Sequence, residues 1–472
     1  MKRYEQFAEE IAALIRNGVL AAGEKAPSVR QASRIYGISQ STVFQAYYLL
    51  ESKGLLVAQE RSGYFVRAQQ QAPLDEPKVY SQSLESHEVA VSELIFSVLN
   101  SLRDPNTVPF GSAFPDPSLY PLARLASCLS RSMKQMPEHE IVSDMTDGNS
   151  ELRRQIALRY SQIGMLLAPH ELVITNGAME ALSLCLQSVT QAGDLVAIES
   201  PTFYACLQML ERLQLKAVEI PVHPRDGIDL TALANALEKL PIKACWFMPT
   251  LQNPIGATMS NERKQQLYKL LQQHQVPLIE DDVYSELYFG NTPNQPVKRY
   301  DQQGLVMHCG SFSKCLAPGY RIGWVAGGQF TERIKKLRLM TTISPAVPSQ
   351  AAIADYLQHG GYDLHLRRLR NTLEVQQGQM LAAIARYFPA EARVSRPQGS
   401  YFLWVELPEA VDSLYLFQQA LNKGISLAPG PIFSASEKFR HCIRLSYGYP
   451  WDERSEKAIA QLGLLVTQQL KS

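Results

Sequence analysis

The sequence predicts an α/β chain of two unequal parts: a small helical N-terminal module, and a large domain built on a mainly parallel sheet. Three observations predict it. The chain has 472 residues, too many for one ordinary core. Its first 67 residues show helical periodicity that gives way to two short β-rich runs. From about residue 92 onward, short runs of Val, Ile and Leu alternate with helical stretches, as buried parallel strands do.

Composition narrows the function classes. Hydrophobic residues make up 46% and charged residues 19%, a globular balance. A net charge of +1 excludes a polybasic nucleic-acid binder, so any DNA contact must come from a local patch. Seven cysteines (Cys128, Cys185, Cys206, Cys245, Cys309, Cys315 and Cys442) lack CxxC spacing, which fits buried thiols better than disulfides or zinc. The N-terminus enters an amphipathic acidic helix rather than an apolar signal core. No apolar run is long enough to span a membrane. The expectation is a cytoplasmic protein without a membrane contact or a metal.

In the first module, Tyr4, Phe7, Ile11, Leu14 and Ile15 fall at helical spacing. Pro27-Ser28 suits a helix start and Gly37 a helix end. Ser41 to Glu51 forms the next helix across a short turn, giving a helix-turn-helix outline. Leu55 to Ala58 and Tyr64 to Val66 read as two strands joined by Gln59-Glu60-Arg61-Ser62-Gly63, a wing. Residues 1–67 hold nine Lys/Arg against six Asp/Glu, a mild basic excess of +3.

Three stretches, Pro27-Ser28-Val29-Arg30, Ser41-Thr42-Val43 with Ala46-Tyr47, and Ser62 to Val66, make this module resemble the winged helix-turn-helix domain of GntR-type regulators. The resemblance implies that Arg30, Ser39, Gln40, Ser41, Thr42 and Gln45 face double-stranded operator DNA, with Arg61 and Gly63 at the wing tip. Gln40 stands where the family often has Arg; it can read adenine but cannot neutralise a phosphate.

Residues 68–91 are polar and Pro-bearing without an apolar period, and read as a linker. The large domain runs from 92 to 472. Its runs Leu172 to Thr175, Leu195 to Ile198, Ala244 to Met248 and Pro277 to Glu280 each end beside a candidate ligand residue, where open α/β sheets place their sites.

The richest stretch is Ser311 to Gly323. Lys314 is flanked by Ser311 and Ser313, followed by Pro318-Gly319 and Arg321. An amine that condenses with a carbonyl, beside hydroxyls and a guanidinium that grip a phosphate, suits an aldehyde cofactor with a phosphate tail. The stretch resembles the lysine motif of fold-type-I pyridoxal 5'-phosphate (PLP) enzymes, the aminotransferases, with a large α/β domain and a small C-terminal α+β subdomain at about 335–472. On that resemblance Lys314 is the Schiff-base lysine. Gly177, Ala178 and Met179 open a helix N-terminus to the phosphate. Phe203 stacks on the ring, Asn253 donates to the ring oxygen and Tyr284 lies beside it. Asp281, rather than Asp282, pairs with the pyridinium nitrogen. Arg444 grips an amino acid's carboxylate. Asp281 and Asp282 lack the His or third carboxylate that a metal would need.

Two positions depart from that pattern. Ser400 replaces a second Gly, and Ser143 stands where a Tyr would reach the partner subunit's phosphate. The order of winged helix, linker and aminotransferase-like domain resembles the MocR subfamily of GntR regulators. The resemblance implies a head-to-tail homodimer, each winged helix lying against the partner's large domain. Two readings follow. One is a regulator that senses an amino acid or amino compound as an external aldimine; the other is a working aminotransferase with a DNA-binding appendage. The intact lysine and carboxylate set suits both. A PLP-free scaffold gives no reason for these polar residues to gather at strand ends.

Overall fold

The computed structural model of the chain describes residues 2–16, 19–20, 24–53, 55–59, 63–66, 74–80, 85–101, 106–138, 147–359 and 361–471. The N-terminal module contains α1 (Arg3–Arg16), α2 (Val29–Tyr36) and α3 (Gln40–Ser52), then an antiparallel hairpin of β1 (Leu56–Gln59) and β2 (Gly63–Val66). Ser28 caps α2 by accepting the Gln31 N–H, and Gly37 ends it at φ +61°. Ser39 then caps α3 by accepting the Thr42 N–H. The turn between the helices is therefore a stop followed at once by a start. Phe7, Ile11, Val43, Tyr47 and Leu50 form a core of their own, and the Tyr47 hydroxyl donates to the Pro27 carbonyl at 2.7 Å.

Most of the expected linker from residue 74 to 91 departs from that expectation. Leu74, Val89 and Val91 are buried in the large-domain core. The Lys78 N–H donates to the Glu406 carboxylate at 2.8 Å. Ser86–His87 forms β3 and pairs with the large sheet. Three well-spaced apolar anchors suffice to fasten a stretch whose average composition is polar.

The large sheet holds β3, β4 (Leu172–Thr175), β5 (Leu195–Ser200), β6 (Lys216–His223), β7 (Gly227–Ile228), β8 (Ile242–Phe247), β9 (Leu278–Asp281), β10 (Val306–Ser311) and β11 (Gly323–Ala326). The order is β3-β6-β5-β8-β9-β10-β11-β4, with β7 paired to β6. From β6 to β10 the neighbours are parallel; β11 runs antiparallel between β10 and β4. Apolar layers cover both faces, with Leu184, Trp246 and Ile279 on one side and Ile220, Phe247 and Leu278 on the other. This explains strands that are apolar throughout rather than alternating.

A second sheet joins β12 (Arg393–Val394), β13 (Phe402–Glu406), β14 (Ala428–Pro429) and β15 (Cys442–Ser446), all antiparallel. Helix Tyr362–Tyr387 packs with helix Glu453–Lys471 beside it. The expected start of the small subdomain near 335 is too early. Helix Val347–His359 packs on Leu122–Gln135 and Ser150–Gln162, which belong to the large lobe.

The winged helix rests on this same chain's helix Tyr362–Tyr387 through α3. A Cβ added at Gly378 would lie 3.4 Å from the Ser52 carbonyl oxygen. A cavity of about 1300 Å³ remains between head and large domain. Among the described residues, no helix is long and apolar enough to cross a membrane, and no group of three or more His, Cys, Asp or Glu is placed to hold a metal. All seven cysteines are free and buried.

Candidate functional site

The site forms at the C-terminal ends of the parallel strands, where side chains leave the sheet together. Thr175 ends β4, and Gly177 opens helix Ala178–Val189 without a side-chain cap. The first amides of that helix, those of Ala178 and Met179 among them, are thus available to an anion. Arg321 lies across this opening. Its Nη1 donates to Ser313 Oγ at 3.3 Å and its Nη2 to the Asn176 carbonyl at 3.3 Å. Glycine is favoured at 177. Its φ is +81°, and a Cβ there would come within 2.5 Å of the Arg321 guanidinium. Ser311 Oγ accepts the Ser313 N–H at 3.0 Å and holds the loop that carries Lys314. Two hydroxyls, one guanidinium and a free helix N-terminus make a cup for a phosphate-sized anion.

Lys314 Nζ sits beside the cup. It donates to the Ala113 carbonyl at 3.0 Å and lies 3.9 Å from the centre of the Phe114 ring. Burial, with Arg444 next, lowers its pKa to about 7, against the attraction of Asp281. A large share of these side chains is therefore the free amine at neutral pH.

Asp281 ends β9 and is 1% exposed. Its Oδ1 has no hydrogen-bond partner. Burial, followed by the adjacent Asp282 charge, raises its pKa to about 7. A buried carboxylate oxygen without a donor awaits one, and a protonated ring nitrogen would supply it. The next residue, Asp282, points to the opposite face. Its Oδ2 is 3.7 Å from His308 Nε2, in a network where His308 Nδ1 meets Glu280 at 2.8 Å and the Tyr160 hydroxyl meets His308 Nε2 at 2.7 Å. Burial alone would lower the His308 pKa, but Glu280 raises it, and His308 in turn lowers the Glu280 pKa against its own burial.

Arg444, on β15, reaches across from the small lobe and is 1% exposed. Its Nη1 donates to Asn253 Oδ1 at 3.1 Å and its Nη2 to the Gly111 carbonyl at 3.1 Å, while Nε has no partner. The Phe402 and Phe433 rings flank the guanidinium at 5.4 and 5.3 Å. Asn253 Nδ2 donates to the Tyr284 hydroxyl at 3.4 Å. Phe203 is half-buried just past β5, with Tyr204 packed on it at 4.8 Å.

In the head, Arg30, Gln40, Ser41 and Gln45 are exposed, and Gly63 starts β2 at φ +97°. The hydroxyls of Ser39 and Thr42 lie 2.8 Å apart, so both serve the cap of α3. Gln45 also lines the cavity toward the large domain. Arg61 and Ser143 lie outside the described residues.

With this geometry in view, comparison with known proteins decides the family. Residues 3–66 match the family model described as bacterial regulatory proteins, gntR family, and residues 134–461 match aminotransferase class I and II. The HTH-type transcriptional regulator YdcR of Escherichia coli is 45% identical over 471 residues, covering 100% of each chain. A second from E. coli, YjiR, is 37% identical over 98% of each. The chain belongs to the MocR subfamily of GntR-type regulators. Among solved structures, a kynurenine aminotransferase from Pyrococcus horikoshii matches with TM-score 0.75 at 26% identity, over 80% of this chain and 95% of that one. A multiple substrate aminotransferase from Thermococcus profundus gives 0.74 at 25%, with the same coverage.

Within that family frame, the structure also brings in residues that the sequence did not single out as site residues. The Ala113 carbonyl accepts from Lys314 across 201 positions of sequence, and Phe114 covers the same amine. Nothing in the spacing of Ala113 and Phe114 in the sequence says that they fold over Lys314. Gly323 was read only as the end of the lysine motif. A Cβ there would strike the Gly177 backbone at 2.5 Å, so it sets how close the two sides of the cup approach. Ser400, read as a departure, adopts φ +67° with a buried, unpartnered hydroxyl.

Proposed function

We propose that this protein is a PLP-dependent transcriptional regulator that binds operator DNA as a cytoplasmic homodimer, each head seated on its own chain's large domain rather than head-to-tail on the partner's, and responds to an amino acid. The observation that carries this is the convergence on Lys314 of an anion cup, a buried unpartnered carboxylate and a buried guanidinium, in a chain whose head is a GntR winged helix.

PLP fits these residues. When bound, it supplies an electrophilic carbonyl and an electron sink. Lys314 offers the amine that engages the aldehyde. Arg321, Ser311, Ser313 and the amides at Gly177, Ala178 and Met179 hold the phosphate. Asp281 keeps the ring nitrogen protonated, Asn253 and Tyr284 face the ring oxygen, and Phe203 covers the ring. Arg444 takes the carboxylate of the amino acid as a two-pronged donor. Its unpartnered Nε is free for this, while Nη2 keeps hold of the Gly111 carbonyl beside it. The segment from Gly111 to Asp116 also holds Lys314 through Ala113, and is tied to the small lobe by the Asp116 N–H donating to Gly448. Ligand entry therefore bears on a segment that both lobes share. Asp282 and Ser311, next to or within the cofactor set, line the cavity beneath the head. That gives a short physical route from ligand to head, and differential affinity for two arrangements of the molecule does the regulation. Arg30, Ser39, Gln40, Ser41, Thr42 and Gln45, with Arg61 and Gly63 on the wing, are the residues through which the head contacts DNA.

A second reading, amino-group transfer, is favoured by one observation: an amine of pKa about 7 at Lys314 is suited to moving a proton at neutral pH. One experiment tests both readings. Purified protein with added PLP is titrated with L-amino acids while its visible spectrum is followed. A cofactor band that shifts and persists supports sensing. A band that bleaches as a keto acid is released supports transfer. Absence of a band overturns both.

A further inference from the structure

Helix α3 follows the turn of the helix-turn-helix, and its exposed side chains decide which bases the head can read. From Gln40 to Ser52 it contains no lysine and no arginine. The contact that a guanidinium or an ammonium makes with guanine O6 and N7 in the major groove is therefore missing from this helix.

Packing sets what the helix has instead. Val43, Ala46, Tyr47 and Leu50 are fully buried and turn one face into the core of the head. Gln40, Ser41 and Phe44 lie outside that face, with Phe44 at i+4 from the first and i+3 from the second, so the three are neighbours. All three are exposed. The hydroxyls at the start of the helix are engaged with one another, since Ser39 Oγ lies 2.8 Å from both Ser41 Oγ and Thr42 Oγ1. Gln40 keeps an amide that can meet N6 and N7 of adenine together. Phe44 is 53% exposed, a large apolar ring beside that amide. Gln45, Tyr48, Leu49 and Ser52 line the cavity toward the large domain, and Phe44 does not. In the major groove such a ring has one apolar target, the C5-methyl group of thymine.

On the DNA-binding reading proposed above, on which this inference rests, we infer that α3 specifies A·T pairs rather than G·C pairs, with Phe44 as the specificity-determining residue. Its ring covers the methyl group of a thymine, while Gln40, one turn earlier, pairs with an adenine. Covering the methyl group removes apolar surface of both partners from water. Arg30 belongs to α2, so the inference concerns only the base pairs beneath α3.

The test uses the full-length protein with added PLP. Duplexes retained from a random pool are sequenced for wild type, Phe44→Ala and Phe44→Arg, and affinities are read by fluorescence anisotropy. The positions whose base preference changes in the Phe44 variants should carry A·T pairs in the wild-type site, and Phe44→Arg should acquire guanine at one of them. Each thymine of the wild-type site is then replaced in turn by deoxyuridine, which removes only the methyl group. At one position this should weaken wild type about threefold or more and leave Phe44→Ala unchanged. Equal affinity of wild type and Phe44→Ala for an unselected duplex shows that the variant's head is folded; if that affinity is lost, the deoxyuridine series in wild type decides alone. G·C pairs at the Phe44-dependent positions, base preferences that neither variant alters, or a wild type indifferent to every lost methyl group overturns the inference while leaving DNA binding intact. A wild type that retains no sequence preferentially from the pool overturns the DNA-binding reading itself, and this inference with it.

Discussion

Lys314 is held as an amine at a cost to the folded state. Burial and two guanidiniums lower its pKa to about 7. The unfolded chain then binds more protons than the native one between about pH 7 and the ordinary lysine range, so this residue makes stability rise with pH across that window and costs most below it. In cofactor-free protein, Lys314→Met should melt above wild type at about pH 6, and the gap should close toward about pH 10. Calorimetry at both pH values checks this; a gap independent of pH would contradict it. Ser400 carries a different burden, a left-handed φ of +67° and a buried hydroxyl without a partner. Ser400→Gly should stabilise the chain by about 1 kcal/mol, read by denaturant midpoint, because relief of strain and of the unpaired hydroxyl exceeds glycine's extra chain entropy. At this scale the sequence was most informative where chemistry is local. Lys314, Ser311, Ser313 and Arg321 sit within eleven residues and announce each other. Phe114 and Ala113 were illegible as partners of Lys314, since a contact across 201 residues leaves no trace in spacing.

Among elements, the open N-terminus of helix Ala178–Val189 carries the most consequence. Gly177→Ala would place a Cβ 2.5 Å from the Arg321 guanidinium at φ +81°. It should weaken PLP binding by more than tenfold, measured by equilibrium titration, through displacement of Arg321 and strain in the turn. Unchanged affinity would mean that the phosphate is held elsewhere. In the head, exposed Arg30 at the start of α2 is placed to meet a DNA phosphate. Arg30→Ala should lower affinity for a duplex selected from a random pool, and should reduce the slope of log affinity against log salt by about one. A loss of affinity with the slope unchanged would argue for a base contact instead. The elements themselves were legible because their signals are physical: Ser caps, a Gly stop, and strands apolar on both faces. The polar reading of residues 74–91 failed since Leu74, Val89 and Val91 are too widely spaced to form a period, yet each is buried. The small-lobe boundary was misplaced because helix Val347–His359 buries its apolar side on large-lobe helices that lie far away in sequence.

For the whole molecule, the decisive arrangement is that the ligand site and the cavity beneath the head lie at the ends of the same strands. Asp281 faces the site from the end of β9, while Asp282 and Ser311 line the cavity on whose far side α3 stands. Helix Tyr362–Tyr387 carries the head near Gly378 and the Arg159 and Glu286 cluster through Tyr362, whose hydroxyl donates to Glu286 at 2.7 Å. A shift in either lobe is thus felt at the seat of the winged helix. No sequence pattern shows such an arrangement, because it depends on how two domains meet. Coupling of this kind is reciprocal: ligand must change DNA affinity by the same factor as DNA changes ligand affinity. The most direct measurement is the affinity of PLP-loaded wild type for the selected duplex, by fluorescence anisotropy, with and without the amino acid that most strongly shifts its cofactor band. The expected result is a change of about fivefold or more that disappears in the Arg444→Ala variant. Equal affinity with and without the amino acid, while the band still shifts, would contradict the regulator and leave a ligand-binding domain uncoupled from its DNA-binding head.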